Sequence, residues 1–306
     1  MNRSQKLQRV KSLPAPPDRP EDANKGTFGR VLVVAGSRGM SGAACLAGLG
    51  ASRGGAGLVT VATPAGILPI VAGVEPSYLT LPLPEDATGK ISQAARPVLE
   101  STLPSQTTIA VGPGLGQSPD LAGLVSWLFE AVDRPGVFDA DALNLLSAHP
   151  AALKSRARRS DAGPPRVLTP HPGEFARLIA SEIATVEKNR ESLAAQFAAQ
   201  HKLVLVLKGH RTLVTDGRRI ALNSTGNSGM ATGGCGDVLT GLIAALLGQK
   251  MAPFEAAQLG VYLHGLAGDL AAKGLSEPAL IASDLTRWLG AAWLTLTRST
   301  RRHRRK

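Results

Sequence analysis

Cysteine is nearly absent from this chain: two among 306 residues, Cys45 and Cys235, far apart in sequence. Their number and spacing exclude a disulfide framework and a cysteine-based metal centre, and fit a chain kept in a reducing cytoplasm. No apolar run approaches the roughly 18 residues that a membrane span needs. The start, Met1-Asn-Arg-Ser-Gln-Lys, is followed by no apolar stretch, so a secretory leader is not expected. A G-x-G-x-x-G fingerprint is also missing. The nearest loop reads Gly36-Ser-Arg-Gly39-Met-Ser-Gly42, and no acid ends the second predicted strand, which argues against a dinucleotide-type Rossmann site. There is no internal repeat.

Acidic residues are short overall, and the net charge is +11. The excess is local. Arg298–Lys306 carries six Arg/Lys and no acid, and Lys154–Arg166 carries five against Asp161 alone. The rest of the chain is nearly neutral. Such blocks read as solvated segments rather than as a nucleic-acid surface, so neither nucleic acid nor membrane is an expected partner.

What is present is an α/β pattern. Residues 1–25 are polar and proline-rich and read as a lead-in; 26–297 read as one domain; 298–306 read as a basic disordered tail. Short apolar runs at Val31–Ala35, Leu58–Ala62, Ile109–Val111, Val137–Phe138, Val167–Leu168 and Leu203–Leu207 alternate with helical sequence. This predicts a mostly parallel sheet covered on both faces, since strands buried on both sides are apolar throughout. Thr212–Thr215 and Arg219–Leu222, split by Asp216-Gly217, predict a hairpin with a type I′ turn. Helices are expected over Ser41–Gly54, 237–248, 253–273 and 281–296, with a further short helix at Leu143–Leu146.

The most informative stretch is Asn223–Asp237, with five glycines in fifteen residues, one terminal carboxylate, and an apolar helix directly behind it. Glycines ahead of a helix let N–H groups face an anion, where the helix dipole adds positive charge. An acid there suits a base that deprotonates a hydroxyl while the amides hold charge on phosphorus; the plainer reading makes Asp237 a helix N-cap. Other signals sit at predicted strand ends, where open α/β sheets bind ligands. Gly112–Gly116 brings backbone near a ligand or is a simple turn. Asp139 and Asp141 would face the same way, holding Mg²⁺ through water, unless Asp141 caps a helix. His171 lies between two prolines; Glu174 starts a helix; Lys208 ends a strand and either meets phosphate or snorkels. His264 and Asp269 read as core-facing polar residues.

Six segments occur in order: Gly36–Ala44, Val111–Gly116, Asp139–Asn144, Thr169–Glu174, Lys208-Gly209 and Gly229–Asp237. Together they resemble the NAD(P)H-hydrate dehydratase family, the carbohydrate-kinase-like domain of the ribokinase superfamily, over roughly residues 12–295. The resemblance implies a ribokinase-like three-layer α/β/α sandwich. It also implies a repair lyase that uses ADP or ATP to phosphorylate the C6 hydroxyl of hydrated NADH or NADPH. Phosphate is then eliminated and the ring double bond returns; the stand-alone bacterial-type domain usually uses ADP. It gives Asp237 the role of base, with the amides around Gly234, Cys235 and Gly236 as the anion hole. Ala43, Gly116, His171 and Asp237 would contact the hydrated dinucleotide. Lys208, Gly209, His210, Arg211, Thr212 and Gly236 would contact the adenine nucleotide. Glu174, with Asp139, would organise Mg²⁺ through water. A homo-oligomer, a tetramer by resemblance, is implied, as is functional partnership with a separate epimerase, since only about 25 residues precede the first predicted strand. The sequence departs from the family pattern at Ser228, usually Pro, and at Cys235, usually Ser, Thr or Met.

Overall fold

The computed structural model describes residues 7–161 and 163–303, with side chains as far as Arg298. Residues 1–6 of the expected lead-in and 304–306 of the expected tail lie outside the described residues. In chain order the elements are β1 (Gln8–Arg9), β2 (Arg30–Val34), α1 (Ser41–Arg53), β3 (Leu58–Pro64), α2 (Leu68–Ala72), β4 (Leu79–Leu83), α3 (Arg96–Thr102), β5 (Thr108–Val111), α4 (Pro119–Glu130), β6 (Gly136–Phe138), α5 (Asp141–Ala148) and α6 (Ala151–Arg158). They continue with β7 (Arg166–Leu168), α7 (Pro172–Leu178), α8 (Ile183–Lys188), α9 (Arg190–His201), β8 (Val204–Leu207), β9 (Leu213–Thr215), β10 (Arg219–Leu222), α10 (Cys235–Gly248), α11 (Pro253–Leu275) and α12 (Ala282–His303).

The strands form one sheet in the order β1-β10-β9-β8-β7-β6-β5-β2-β3-β4, antiparallel only where β9 meets β8 and β10. Alternation along each strand feeds two cores. Val31, Val33, Val137, Val167, Val204 and Val206 face α1, α10, α11 and α12, while Leu32, Val34, Phe138, Leu168, Leu205 and Leu207 face the layer from α3 to α9. The expected three-layer arrangement is therefore formed. From β2 the chain runs outward through β3 and β4, then returns to β5 on the other side of β2. The loops after β2 and β5 thus meet at a topological switch point, the place where such sheets bind ligands.

On the first face α1 and α10 touch backbone to backbone. A Cβ at Gly241 would lie 1.9 Å from the Ala47 oxygen, and one at Gly50 2.3 Å from the Val238 oxygen. The glycine pairs make the two helices parallel neighbours, so both N-termini open at the carboxyl edge of the sheet.

Four expectations need correction. β4 was hidden because Pro82 interrupts its pattern, which an edge strand tolerates. The described part of the lead-in is tied to the body: β1 adds to the sheet edge, Gln258 donates to the Ser12 carbonyl, and Arg19 donates to Gly55 while lying over Phe28. The hairpin turn is not type I′. That turn requires two positive φ values, and only Gly217 has one, because the Asp216 carboxylate accepts the N–H groups of Arg218 and Arg219 and closes the turn itself. Finally, α12 runs through to His303 instead of ending at 296, so the basic segment begins as helix and not as a disordered tail. Arg is a strong helix former and no glycine or proline stops it.

Candidate active site

The carboxyl ends of β6, β7 and β8 bring three charged side chains to the N-terminus of α10. Lys208 Nζ donates to Asp139 Oδ1 at 2.7 Å and lies 3.8 Å from Glu174 Oε2. The other oxygen of Asp139 accepts from Thr240 Oγ1 at 2.7 Å. Asp139 is buried, 1% exposed, and both its oxygens are taken. A Cβ at Gly236 would sit 3.2 Å from Lys208 Nζ, so the start of α10 closes directly over this cluster.

Asp237, half-buried in the first turn of α10, faces the same cluster. Burial is the main force on its carboxyl and the charge on Asp139 the next; with Asp141 and Glu174 they outweigh Lys208 and push its pKa up to about 7. Burial disfavours the charge on Lys208, but Asp139, Glu174 and Asp237 outweigh it and hold its pKa above the ordinary value. Burial likewise raises that of Glu174. Asp237 does not cap α10. The N-cap is Gly234, whose φ of +92° only glycine adopts readily, and no side chain caps there. The N–H groups of Gly234, Cys235 and Gly236 therefore have no helical acceptor ahead of them and none among the described residues. Burial pushes the Cys235 thiol up to about 11, so it stays protonated; what Cys235 offers an anion is its N–H.

Behind this turn, His264 is buried and its Nε2–H donates to the Cys235 carbonyl at 2.8 Å. Burial lowers its pKa to about 4, which keeps the ring neutral. The reading of His264 as a core-facing polar residue holds. Asp269 is more specific than that: it accepts from Gly226 N and Asn227 Nδ2 and anchors the glycine-rich loop.

Asp139 and Asp141 part company. Ala140 has φ +50°, which breaks the alternation, and Asp141 Oδ2 accepts from Gly116 N at 2.8 Å instead of capping α5. That bond ties Gly116 to the site. Ala43, in the first turn of α1, packs beside Gly114 in the same loop pair. His171 is the N-cap of α7. Its Nδ1 accepts from Gly173 N at 3.0 Å and Glu174 N at 3.3 Å, while Glu174 Oε2 accepts from His171 N at 2.8 Å. With Nδ1 as acceptor, Nε2 carries the proton and lies 3.4 Å from Glu174 Oε1, in a side chain that is half exposed. Burial, Lys208 and Arg177 lower the pKa of His171, so the ring is neutral at pH 7.

Gly209, His210 and Arg211 form the exposed β8–β9 loop, and Thr212 Oγ1 closes it on the Gly209 carbonyl at 2.9 Å. Arg190 supports the loop from below. Sequence reasoning missed Thr240 and Arg190. Both sit in ordinary helical sequence and no local signal marks them. A cavity of about 580 Å³ lies at the opposite end of the sheet, lined by Pro16, Pro17, Arg19, Arg53 and Trp293. The carbonyls of Arg53, Gly54 and Gly55 there are satisfied by Trp293, Gln249 and Arg19.

The model of the NAD(P)H-hydrate dehydratase family matches residues 31–289. The chain is 46% identical over 275 residues to the bifunctional NAD(P)H-hydrate repair enzyme of Moorella thermoacetica, covering 89% of this chain and 51% of that one. It thus spans about half the length of the bifunctional relatives it matches. It is 37% identical over 279 residues to the ADP-dependent (S)-NAD(P)H-hydrate dehydratase of Bacillus subtilis, covering 90% and 93%. Among solved structures, the ADP/ATP-dependent NAD(P)H-hydrate dehydratase of B. subtilis, co-crystallized with ATP/Mg²⁺, superposes with TM-score 0.75 at 33% identity, covering 91% and 94%. A ribokinase-like superfamily protein of Enterococcus faecalis does so with TM-score 0.76 at 28% identity, covering 90% and 89%. The fold is ribokinase-like.

Proposed function

The chain belongs to the NAD(P)H-hydrate dehydratase family, and on that premise we propose that it restores hydrated NADH and NADPH at the expense of ADP. The observation that carries the reading is Asp237, a carboxylate with a pKa near 7 beside Asp139, Lys208 and Glu174 at a helix start whose N–H groups are unpartnered among the described residues. A base needs a pKa close to the working pH, and the amides must face the charge that develops on phosphorus. Asp237 takes the proton of the C6 hydroxyl as its oxygen bonds to the β-phosphorus of ADP and AMP departs. Phosphate then leaves C6 with its bonding pair and a proton leaves the neighbouring carbon, which returns the ring double bond.

In this reading Ala43, Gly116 and His171 hold the dinucleotide on one side of Asp237, and Lys208–Thr212 with Gly236 hold ADP on the other. Magnesium fits this donor set only through phosphate oxygens and water. Among the described residues no cluster of three or more His, Cys, Asp or Glu could hold an ion alone, and Asp139 has no free oxygen. When bound, the ion would neutralise phosphoryl charge, with Glu174 ordering its waters and Asp139, expected to share that task, instead holding Lys208 beside them. No described helix is long and apolar enough to cross a membrane. A cytoplasmic homo-oligomer working alongside an NAD(P)H-hydrate epimerase completes the proposal.

The test is to incubate the protein with hydrated NADPH, Mg²⁺ and ADP or ATP, following the absorbance of reduced nicotinamide. Restoration with ADP, one AMP per turnover, is expected. A stable phosphorylated product would make the protein a kinase, and no reaction with either nucleotide would overturn the reading.

A further inference from the structure

We propose that Arg190 is the positioning residue of the nucleotide end of the site, acting by turning the N–H groups of Gly209 and Arg211 outward. The proposal rests on the reading that Lys208–Thr212 takes ADP, and it names how that loop is held and what it presents.

Arg190 opens α9, and its guanidinium reaches under the β8–β9 loop. Nη1 donates to the His210 carbonyl at 3.0 Å; Nη2 donates to those of Leu207 and Lys208 at 3.2 and 3.4 Å. In a planar trans peptide the N–H of the next residue points opposite to the carbonyl. Drawing the Lys208 and His210 carbonyls inward therefore drives the N–H groups of Gly209 and Arg211 out. Neither N–H has an acceptor among the described residues, whereas Lys208 N is spent on the Pro170 carbonyl at 2.9 Å. The backbone supports the same conclusion. Gly209 has φ +129° and Arg211 φ +54°, and the latter is uncommon for a residue other than glycine and concentrates at ligand clamps. Outward N–H groups two residues apart in a loop with left-handed turns make a concave anion-binding surface. The guanidinium places a positive charge behind it and reaches three carbonyls with the two nitrogens of one rigid fork, a geometry an ammonium does not offer.

Arg190→Ala and Arg190→Lys test this, with ADP affinity measured by calorimetry and both KM values by steady-state titration. In Arg190→Ala the Kd and KM for ADP should rise about tenfold, as for the loss of a hydrogen bond or two, and in Arg190→Lys by less. The KM for hydrated NADPH should stay within about twofold, a split that a merely structural tie would not produce. Unchanged ADP affinity in both variants overturns the proposal. So does equal weakening of both substrates together with a lowered melting temperature. If Arg190→Ala does not fold, the Kd of Arg190→Lys decides. Wild-type protein that binds ADP but leaves hydrated NADPH unrepaired would count against the dehydratase reading alone, because the calorimetric comparison needs no turnover.

Discussion

Asp237 is held where the fold least favours its charge. In the unfolded chain its carboxyl titrates at about 3.8 and in the fold at about 7. Between those values the native state keeps a proton that the unfolded state has lost, so stability should fall as pH rises from about 4 to about 7. Asp237→Asn removes that titration. The variant should lose about 10² to 10⁴ in kcat yet melt higher than wild type above pH 7, and melting curves from pH 4 to 8 check it. Parallel pH slopes for the two proteins would show that the carboxylate is not strained. In wild type, kcat/KM should drop tenfold per pH unit below about 7. His171 carries two separable duties. His171→Asn keeps an acceptor for the α7 N–H groups but discards the Nε2 donor, so it should hold the melting temperature while raising the KM for hydrated dinucleotide about threefold to tenfold. His171→Ala should lose both, the cap costing about 0.5–2 kcal/mol.

Among elements, the contact of α1 with α10 sets the site, because it places two helix N-termini side by side. Gly241→Ala drives a Cβ into the Ala47 carbonyl. Separating the helices should cost about 1–3 kcal/mol and lower kcat as well, because the first turn of α10 moves with its axis. Gly290, in α12, faces open space, and Gly290→Ala should stabilise by about 0.5–1 kcal/mol with kcat unchanged. Urea denaturation of both variants separates packing from propensity. α12 itself divides in two. Leu285, Leu289, Ala292 and Leu296 are buried, so truncation after Arg298 should leave melting and turnover unchanged, whereas truncation after Arg287 should destabilise strongly.

At the scale of the molecule, one ten-stranded sheet runs between two continuous cores. Loss of either helix layer exposes one face of strands that the other layer also needs for its core, so unfolding should be one cooperative transition. Calorimetry should give a single peak, raised by about 2.7 kcal/mol of stability when ADP stands at 100 times its Kd. Two peaks that ADP shifts unequally would mean that the layers unfold separately. The excess positive charge lies in 154–166, which runs from the end of α6 to the start of β7, and at the C-terminus. Against the expectation of a solvated segment, Arg156 and Arg166 are buried and donate to backbone carbonyls. Turnover should therefore depend on salt only through the substrates' own phosphates.

The sequence by itself determined the layers. Apolar runs at Val31–Ala35 and Leu203–Leu207 read as strands buried on both faces, and glycines before a helix that carries an acid read as an N-terminus open to an anion or, more plainly, as a capped one. Six ordered segments carried the family. Periodicity and turn chemistry are local, and these features are local. β4 is not legible because Pro82 breaks its pattern, and α12 is longer than its apolar stretch because charge does not end a helix that no glycine or proline stops. Tertiary structure alone decided which groups meet. Asp139 and Asp141 diverge because Ala140 turns with positive φ, and Thr240 closes on Asp139 across 101 residues of chain. Arg190 reaches its loop from a neighbouring element. The pKa of Asp237 is likewise a property of the assembled crevice: burial and the charge of Asp139 raise it, and both exist only once β6 and α10 have come together.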